Sequence, residues 1–182
     1  GAGPSLVVSP LLALMRNQTQ MGERIGVRSA TINSENTDDW HGIEAAARAG
    51  EVDLLLISPE RLNNPRFRDE QLPDLARRCG LLVVDEAHCI SEWGHDFRPD
   101  YRRVGRVIDL LPSTVPVLGC TATANDRVIA DIEHQLGEDL LLVRGALGRA
   151  SLAVRVLELP SQGERLAWLA REIPRMDGTG VV

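Results

Sequence analysis

Residues 81–88 read LLVVDEAH, four apolar residues in strand rhythm that stop at two adjacent carboxylates, a small residue and a histidine. A strand that delivers Asp85 and Glu86 at its carboxyl end is how a parallel α/β sheet places acids in a ligand crevice, because ligands sit outside the carboxyl ends of such strands. Strand and helix patterns alternate through most of the chain. That alternation predicts an α/β fold, a mostly parallel sheet with helices on both faces.

The remaining elements follow from local signals. Strands are predicted at Leu6–Ser9, Val27–Ile32, Asp53–Ser58, Leu81–Asp85 and Val115–Cys120, with a further short strand at Leu140–Val143. Helices are predicted at Leu11–Met21, from a cap at Thr37 or Asp38 to Ala49, from Pro59 to Arg78 with a break near Asn63-Asn64-Pro65, at Tyr101–Leu111 and at Asn125–Leu136. Glu86 to Asp100 carries no clear periodicity. From about Ala150 the pattern changes to an alternating strand at Leu152–Leu159 and an amphipathic helix at Gln162–Glu172, and Gly180 to Val182 reads as the start of a strand.

Composition bounds the chemistry. The 182 residues carry a formal net charge of −6, which argues against a nonspecific nucleic-acid binder and requires any nucleic-acid contact to be local. All 20 basic residues are arginine. With no lysine the chain cannot contain a GxxxxGK[ST] phosphate loop, whose lysine reaches the β- and γ-phosphates. Cys79, Cys89 and Cys120 are odd in number and lack a CxxC spacing, so reduced thiols are expected rather than a disulfide framework or a zinc site. No apolar run approaches the length of a membrane span and no signal segment opens the chain, so a cytoplasmic protein is expected, without a membrane partner.

The acid pair has a specific chemical reading. In nucleotide hydrolases a strand ending in Asp-Glu is the Walker B element, in which one carboxylate holds Mg²⁺ and its neighbour orients the attacking water. Here those are Asp85 and Glu86, with a nucleotide's phosphates and Mg²⁺ as the implied ligands; the bland alternative is a strand meeting solvent at an acidic turn. Trp93, His95, Phe97 and Arg98 add rings and a permanent cation to the following loop. Rings of this kind stack on unpaired bases for about 1–3 kcal/mol each, and arginine pairs with phosphate in a planar fork. The alternative is that Trp93 and Phe97 merely pin the loop onto the domain. Ser9-Pro10 and Ser58-Pro59 each follow a strand and open a helix, where amides and hydroxyls can face phosphates or simply cap. Arg16 and Arg61 are further candidates for phosphate contact or could equally lie on solvated faces. Thr121 and Thr123 follow a strand and either relay toward His88 or cap the next helix.

Five blocks occur in order: VVSPLLALM from Val7, ISPERL from Ile57, VVDEAH from Val83, CISEWGHDFRPDY from Cys89 and CTATA from Cys120. Together they resemble the motifs of superfamily-two helicases, and the run SEWGHDFRPDY beside DEAH resembles the RecQ family of DNA helicases, in wording closer to its bacterial branch. Thr31-Ile32-Asn33-Ser34 resembles the turn that such enzymes set along the nucleic-acid path. The resemblance implies a RecA-like P-loop NTPase fold truncated at both ends, with residues 1–149 in the first motor domain, lacking its phosphate loop, and 150–182 as a linker and the start of the second.

By the same resemblance, Asp85 and Glu86 are catalytic and cofactor-binding, with Asp85 holding Mg²⁺ through water. His88 joins them and, with Arg98, Thr121 and Thr123, couples the nucleotide to DNA. Ser9, Pro10, Asn33, Ser34, Ser58, Pro59, Arg61, Trp93, His95, Phe97 and Arg98 face nucleic acid. The implied activity is ATP-driven 3′ to 5′ translocation on single-stranded DNA and unwinding of duplex DNA, in DNA repair and recombination. The polypeptide alone is expected to be inactive and to expose apolar strand edges. Two alternatives remain: another superfamily-two RNA helicase or duplex translocase, or a degenerate motor domain that only binds nucleic acid.

Overall fold

The computed structural model describes residues 3–93, 96–137, 139–145 and 156–176. It divides into two compact units, Gly1–Leu141 and Leu142–Val182. The expected boundary near residue 150 lies outside the described residues, as does Gly180–Val182.

In the first unit, five parallel strands form one sheet: β1 (Ser5–Val8), β2 (Ser29–Ile32), β3 (Leu54–Ile57), β4 (Leu81–Val84) and β5 (Val117–Gly119), in the order β2-β3-β1-β4-β5. The chain leaves β1 toward one side, builds β2 and β3, then crosses β1 to add β4 and β5 on the other. That reversal puts a topological switch point between the carboxyl ends of β1 and β4.

Strand register explains the two cores. Leu6, Leu55 and Leu82 align across the three central strands, as do Val8, Ile57 and Val84, and all six are buried on one face. The alternate rank Val7, Leu56 and Val83 points to the other face, where Leu12 and Met15 of α1 (Leu12–Arg24) cover it. Residues of α2 (Trp40–Arg48), α3 (Leu72–Arg78), α4 (Val104–Leu110) and α5 (Asp126–Leu136) belong to the larger core. Helices therefore lie on both faces, as period-two burial on a doubly covered sheet requires. The Pro59–Arg78 region is broken into a 3₁₀ turn at Pro59–Asn63, a π turn at Phe67–Gln71 and α3. Asn125 caps α5 by accepting from the Val128 amide.

Leu140–Val143 is not a strand. It makes no ladder pairing among the described residues, and Leu141 and Val143 are almost fully exposed. An apolar run becomes a strand only where a sheet edge accepts it. Residues 156–159 of the strand expected at Leu152–Leu159 are also unpaired, and 152–155 lie outside the described residues. In the second unit, α6 (Gln162–Glu172) matches its expected span and opens on a reciprocal capping box between Ser161 and Glu164. No helix among the described residues is long and apolar enough to cross a membrane.

Candidate nucleotide site and aromatic loop

The switch point gathers the acids. β4 ends at Val84, and the Asp85 amide still donates to the Val8 carbonyl at 2.9 Å, which holds Asp85 beside the end of β1. Ser9 Oγ, fully buried, donates to Asp85 Oδ2 at 3.1 Å, and the Glu86 amide donates to Asp85 Oδ1 at 3.0 Å. Glu86 takes a left-handed backbone, φ 48° and ψ 47°, the single non-glycine residue with positive φ among those described. Such a conformation costs about 1–3 kcal/mol and persists where the surroundings over-determine it, commonly at functional sites. Here the Ala87 amide is held by the Cys120 carbonyl at 2.8 Å, and the Cys120 amide by the Val84 carbonyl at 2.9 Å.

His88, buried, then connects the two strand tips. Its Nδ1 lies 3.2 Å from Glu86 Oε2 and 3.0 Å from Thr121 Oγ1. Thr121 Oγ1 in turn donates to the Thr123 carbonyl and accepts from the Thr123 amide, each at 3.2 Å. An ionised carboxylate only accepts, and the threonine proton is used on Thr123, so one consistent arrangement has the proton on Nδ1. Glu86, His88 and Thr123 line a crevice of about 200 Å³ together with Pro10, Leu11, Asp96 and Ala122.

Tyr101, the chain's single tyrosine, is fully buried and donates from its hydroxyl to the Asp85 carbonyl at 2.7 Å. Burial pushes its pKa well above the usual phenol value, so it remains a donor. Tyr101 thus ties the end of the aromatic loop to the acid turn. Burial likewise raises Cys89, to about 11, and raises Cys79 and Cys120, so all three are thiols at neutral pH.

In the aromatic loop, Trp93 is 66% exposed while Phe97 is half-buried under Arg102, whose guanidinium carbon lies 5.4 Å from the ring centroid. Arg98 is ion-paired with Asp96 at 3.3 Å and Glu60 at 3.7 Å, which joins the loop to the Ser58–Arg61 turn. His95 lies outside the described residues.

Several expected nucleic-acid contacts are placed differently. Arg61 is 6% exposed; its guanidinium bonds Glu44 at 3.0 Å and stacks 3.4 Å from the centroid of the Trp40 ring, with Phe67 beyond. It ties α2 to the turn after β3, and its guanidinium is buried in that packing rather than on a solvated face. Ser9 and Ser58 are buried with Pro10 and Pro59, and their amides are already spent on the Ile57 and Ile32 carbonyls. Neither serine side chain caps a helix. Asn33 is buried too: its carbonyl accepts from Trp40 Nε1 at 2.9 Å and its Oδ1 from the Glu35 amide at 2.8 Å. Of that turn, Ser34 remains exposed, and Arg16 beside it is ion-paired with Glu35. Asp96, Glu60 and Tyr101 were not singled out from sequence. The DFRPDY run holds two of them and was their one visible signal.

A parallel sheet with an Asp-Glu pair, a histidine and a threonine turn gathered at its switch point defines a RecA-like motor domain of the helicase class. Residues 2–132 match the DEAD/DEAH box helicases, and the chain belongs to that family. Among curated relatives, the ATP-dependent DNA helicase RecQ of Bacillus subtilis is 38% identical over 136 residues, covering 74% of this chain and 22% of that protein. RecQ of Haemophilus influenzae is 36% identical over 135 residues, 74% of this chain and 21% of that protein. The ATP-dependent DNA helicase Q1 of Pongo abelii is 31% identical over 168 residues, 89% of this chain and 26% of that protein. These relatives, drawn from bacteria and animals alike, are named RecQ or Q1 helicases. The chain spans between about a fifth and about a quarter of their length. The fold is shared with the Hef helicase domain of Pyrococcus furiosus, TM-score 0.57 at 16% identity over 74% of this chain and 27% of that one. It is shared also with the helicase MrfA in a structure described as bound to DNA and AMPPNP, TM-score 0.54 at 16% identity over 74% of this chain and 20% of that one.

Proposed function

We propose that this chain is the acid-bearing and coupling part of an ATP-dependent DNA helicase of RecQ type, moving 3′ to 5′ on single-stranded DNA. The observation that carries this reading is the continuous path from Asp85 and Glu86 through His88 to Thr121 at the switch point. A binding module has no chemical need for it. The relatives named ATP-dependent DNA helicases support DNA over RNA as the track.

Asp85 fits a water-mediated Mg²⁺ site, since that ion takes one or two carboxylates and keeps several waters, and Ser9 already orients one Asp85 oxygen. When bound, the ion supplies positive charge against the phosphates. Glu86, held by its strained backbone and by His88, orients the attacking water and accepts its proton. The crevice, about 200 Å³, suits a terminal phosphate and a water rather than a whole nucleotide. His88 passes the state of Glu86 to the Thr121 turn. Arg98, Trp93 and Phe97 bring the DNA side of the coupling: the rings stack on bases, and Arg98 exchanges its carboxylate partners for phosphate.

The test uses the complete gene product. E86Q lowers ATP turnover at least about a hundredfold while leaving nucleotide affinity unchanged, in the range of losing a catalytic proton acceptor. The double variant W93A/F97A retains basal turnover and loses its stimulation by single-stranded DNA. Unchanged turnover in E86Q, or stronger stimulation by RNA than by DNA, sinks the proposal.

A further inference from the structure

The guanidinium carbon of Arg127, in the first turn of α5, sits 5.0 Å from the centroid of the Trp93 ring. Ser91 fixes this approach: its hydroxyl bonds Asp131, one turn further along α5, and accepts from the Trp93 amide at 3.1 Å. The cleft between loop and helix, about 280 Å³, is lined by Ile90, Glu92, Trp93, Arg102, Asp131 and His134 along with Gln135.

The two arginines that cover the loop's rings differ in charge environment. Arg102, over Phe97, is ion-paired with Glu92. Arg127 is exposed and has no ion pair among the described residues. It stands beside Asp126 in the first turn of α5, where a cation opposes the helix dipole. A local conflict of this kind is resolved when an anion arrives, and Trp93, largely exposed, still has surface on which a base can lie.

Resting on the DNA-binding reading of the aromatic loop given above, we propose that Arg127 is a nucleic-acid-contacting residue. It backs the Trp93 ring and pairs with the phosphate of the unpaired nucleotide whose base stacks on that ring. Because α5 follows directly from the Thr121 turn, the same contact carries DNA occupancy to the nucleotide side by a second route, independent of Arg98.

The experiment measures binding of a short fluorescein-labelled oligothymidylate to the complete gene product by anisotropy, over a series of salt concentrations, for wild type, W93A, R127A and R127K, with R77A as a surface control. R127A is expected to weaken binding about five- to tenfold at low salt and to reduce the slope of log affinity against log salt by about 0.7, the value for one phosphate on a single strand. R127K keeps the slope and loses part of the affinity, because lysine retains the charge without the planar stack. W93A loses affinity with its slope unchanged. Wild-type affinity and slope in R127A beside a weakened W93A overturns this proposal alone. Tighter binding by R127A also overturns it, since the arginine would then be parking the ring. An unaffected W93A overturns both this proposal and the loop's role in DNA binding.

Discussion

His88 Nδ1 lies 3.0 Å from Thr121 Oγ1, a hydrogen bond between residues 33 positions apart that joins the turn after β4 to the turn after β5. A net contribution of about 0.5–1.5 kcal/mol is usual for such a bond, and side chains in one network couple. A double-mutant cycle with H88A and T121V in urea denaturation should therefore give a coupling energy of about 1 kcal/mol. Strictly additive single variants would show the two side chains to be independent.

Arg61 and Glu44 form a buried ion pair roofed by Trp40. Removing one partner leaves the other charge buried, which typically costs about 3–5 kcal/mol. R61A should lower the chemical-denaturation midpoint steeply, whereas R61M combined with E44Q should recover most of the loss. The folded fraction of R61M/E44Q should bind single-stranded DNA as wild type does; weakened binding would restore Arg61 to the nucleic-acid face.

The exposed pair Arg28 and Asp53 gives a pH signature. The Arg28 side-chain bond is the main cause that lowers the Asp53 carboxyl to about 2. A depressed carboxylate adds stability that is fully present above its unfolded value, about 3.9, and is lost as pH falls through the folded one. Between pH about 4 and about 2, the melting temperature of wild type should fall more steeply than that of D53N, and above that window the two curves should run parallel. Because the pair is solvated, added salt should shrink the difference.

Leu118 pairs in register with Val83, at the sheet's edge strand, and is 49% exposed. Apolar edge strands template association with other strands, and an inserted lysine blocks it. L118K should reduce concentration-dependent light scattering of this polypeptide without altering its circular dichroism. Equal scattering by both proteins would mean that association arises elsewhere.

The central strands were legible because each carries a short apolar run bounded by turn residues, and the acid turn because a histidine and an aromatic-bearing loop follow the carboxylate pair. Arg61 was misread because nothing in ISPERL announces Trp40 and Glu44, which reach it from a helix about twenty residues earlier. Ser9 and Ser58 looked like side-chain caps beside proline; Ser58 does precede a 3₁₀ turn opened by Pro59, but neither hydroxyl caps. The sheet, however, extends one hydrogen bond beyond each strand and consumes their amides. Leu140–Val143 has the composition of a strand but no neighbour, a property of the sheet rather than of the segment. Asp96, signalled only by the DFRPDY run, and Arg127, signalled by nothing, were missed for a related reason: each acquires its meaning from a partner on another element.

The left-handed backbone at Glu86 sets two demands against each other at one position. Glycine adopts that conformation freely, while a residue with a Cβ pays about 1–2 kcal/mol. Glu86→Gly should thus give a sturdier molecule without turnover, so selection for robustness alone would erode the very carboxylate to which we assign water activation.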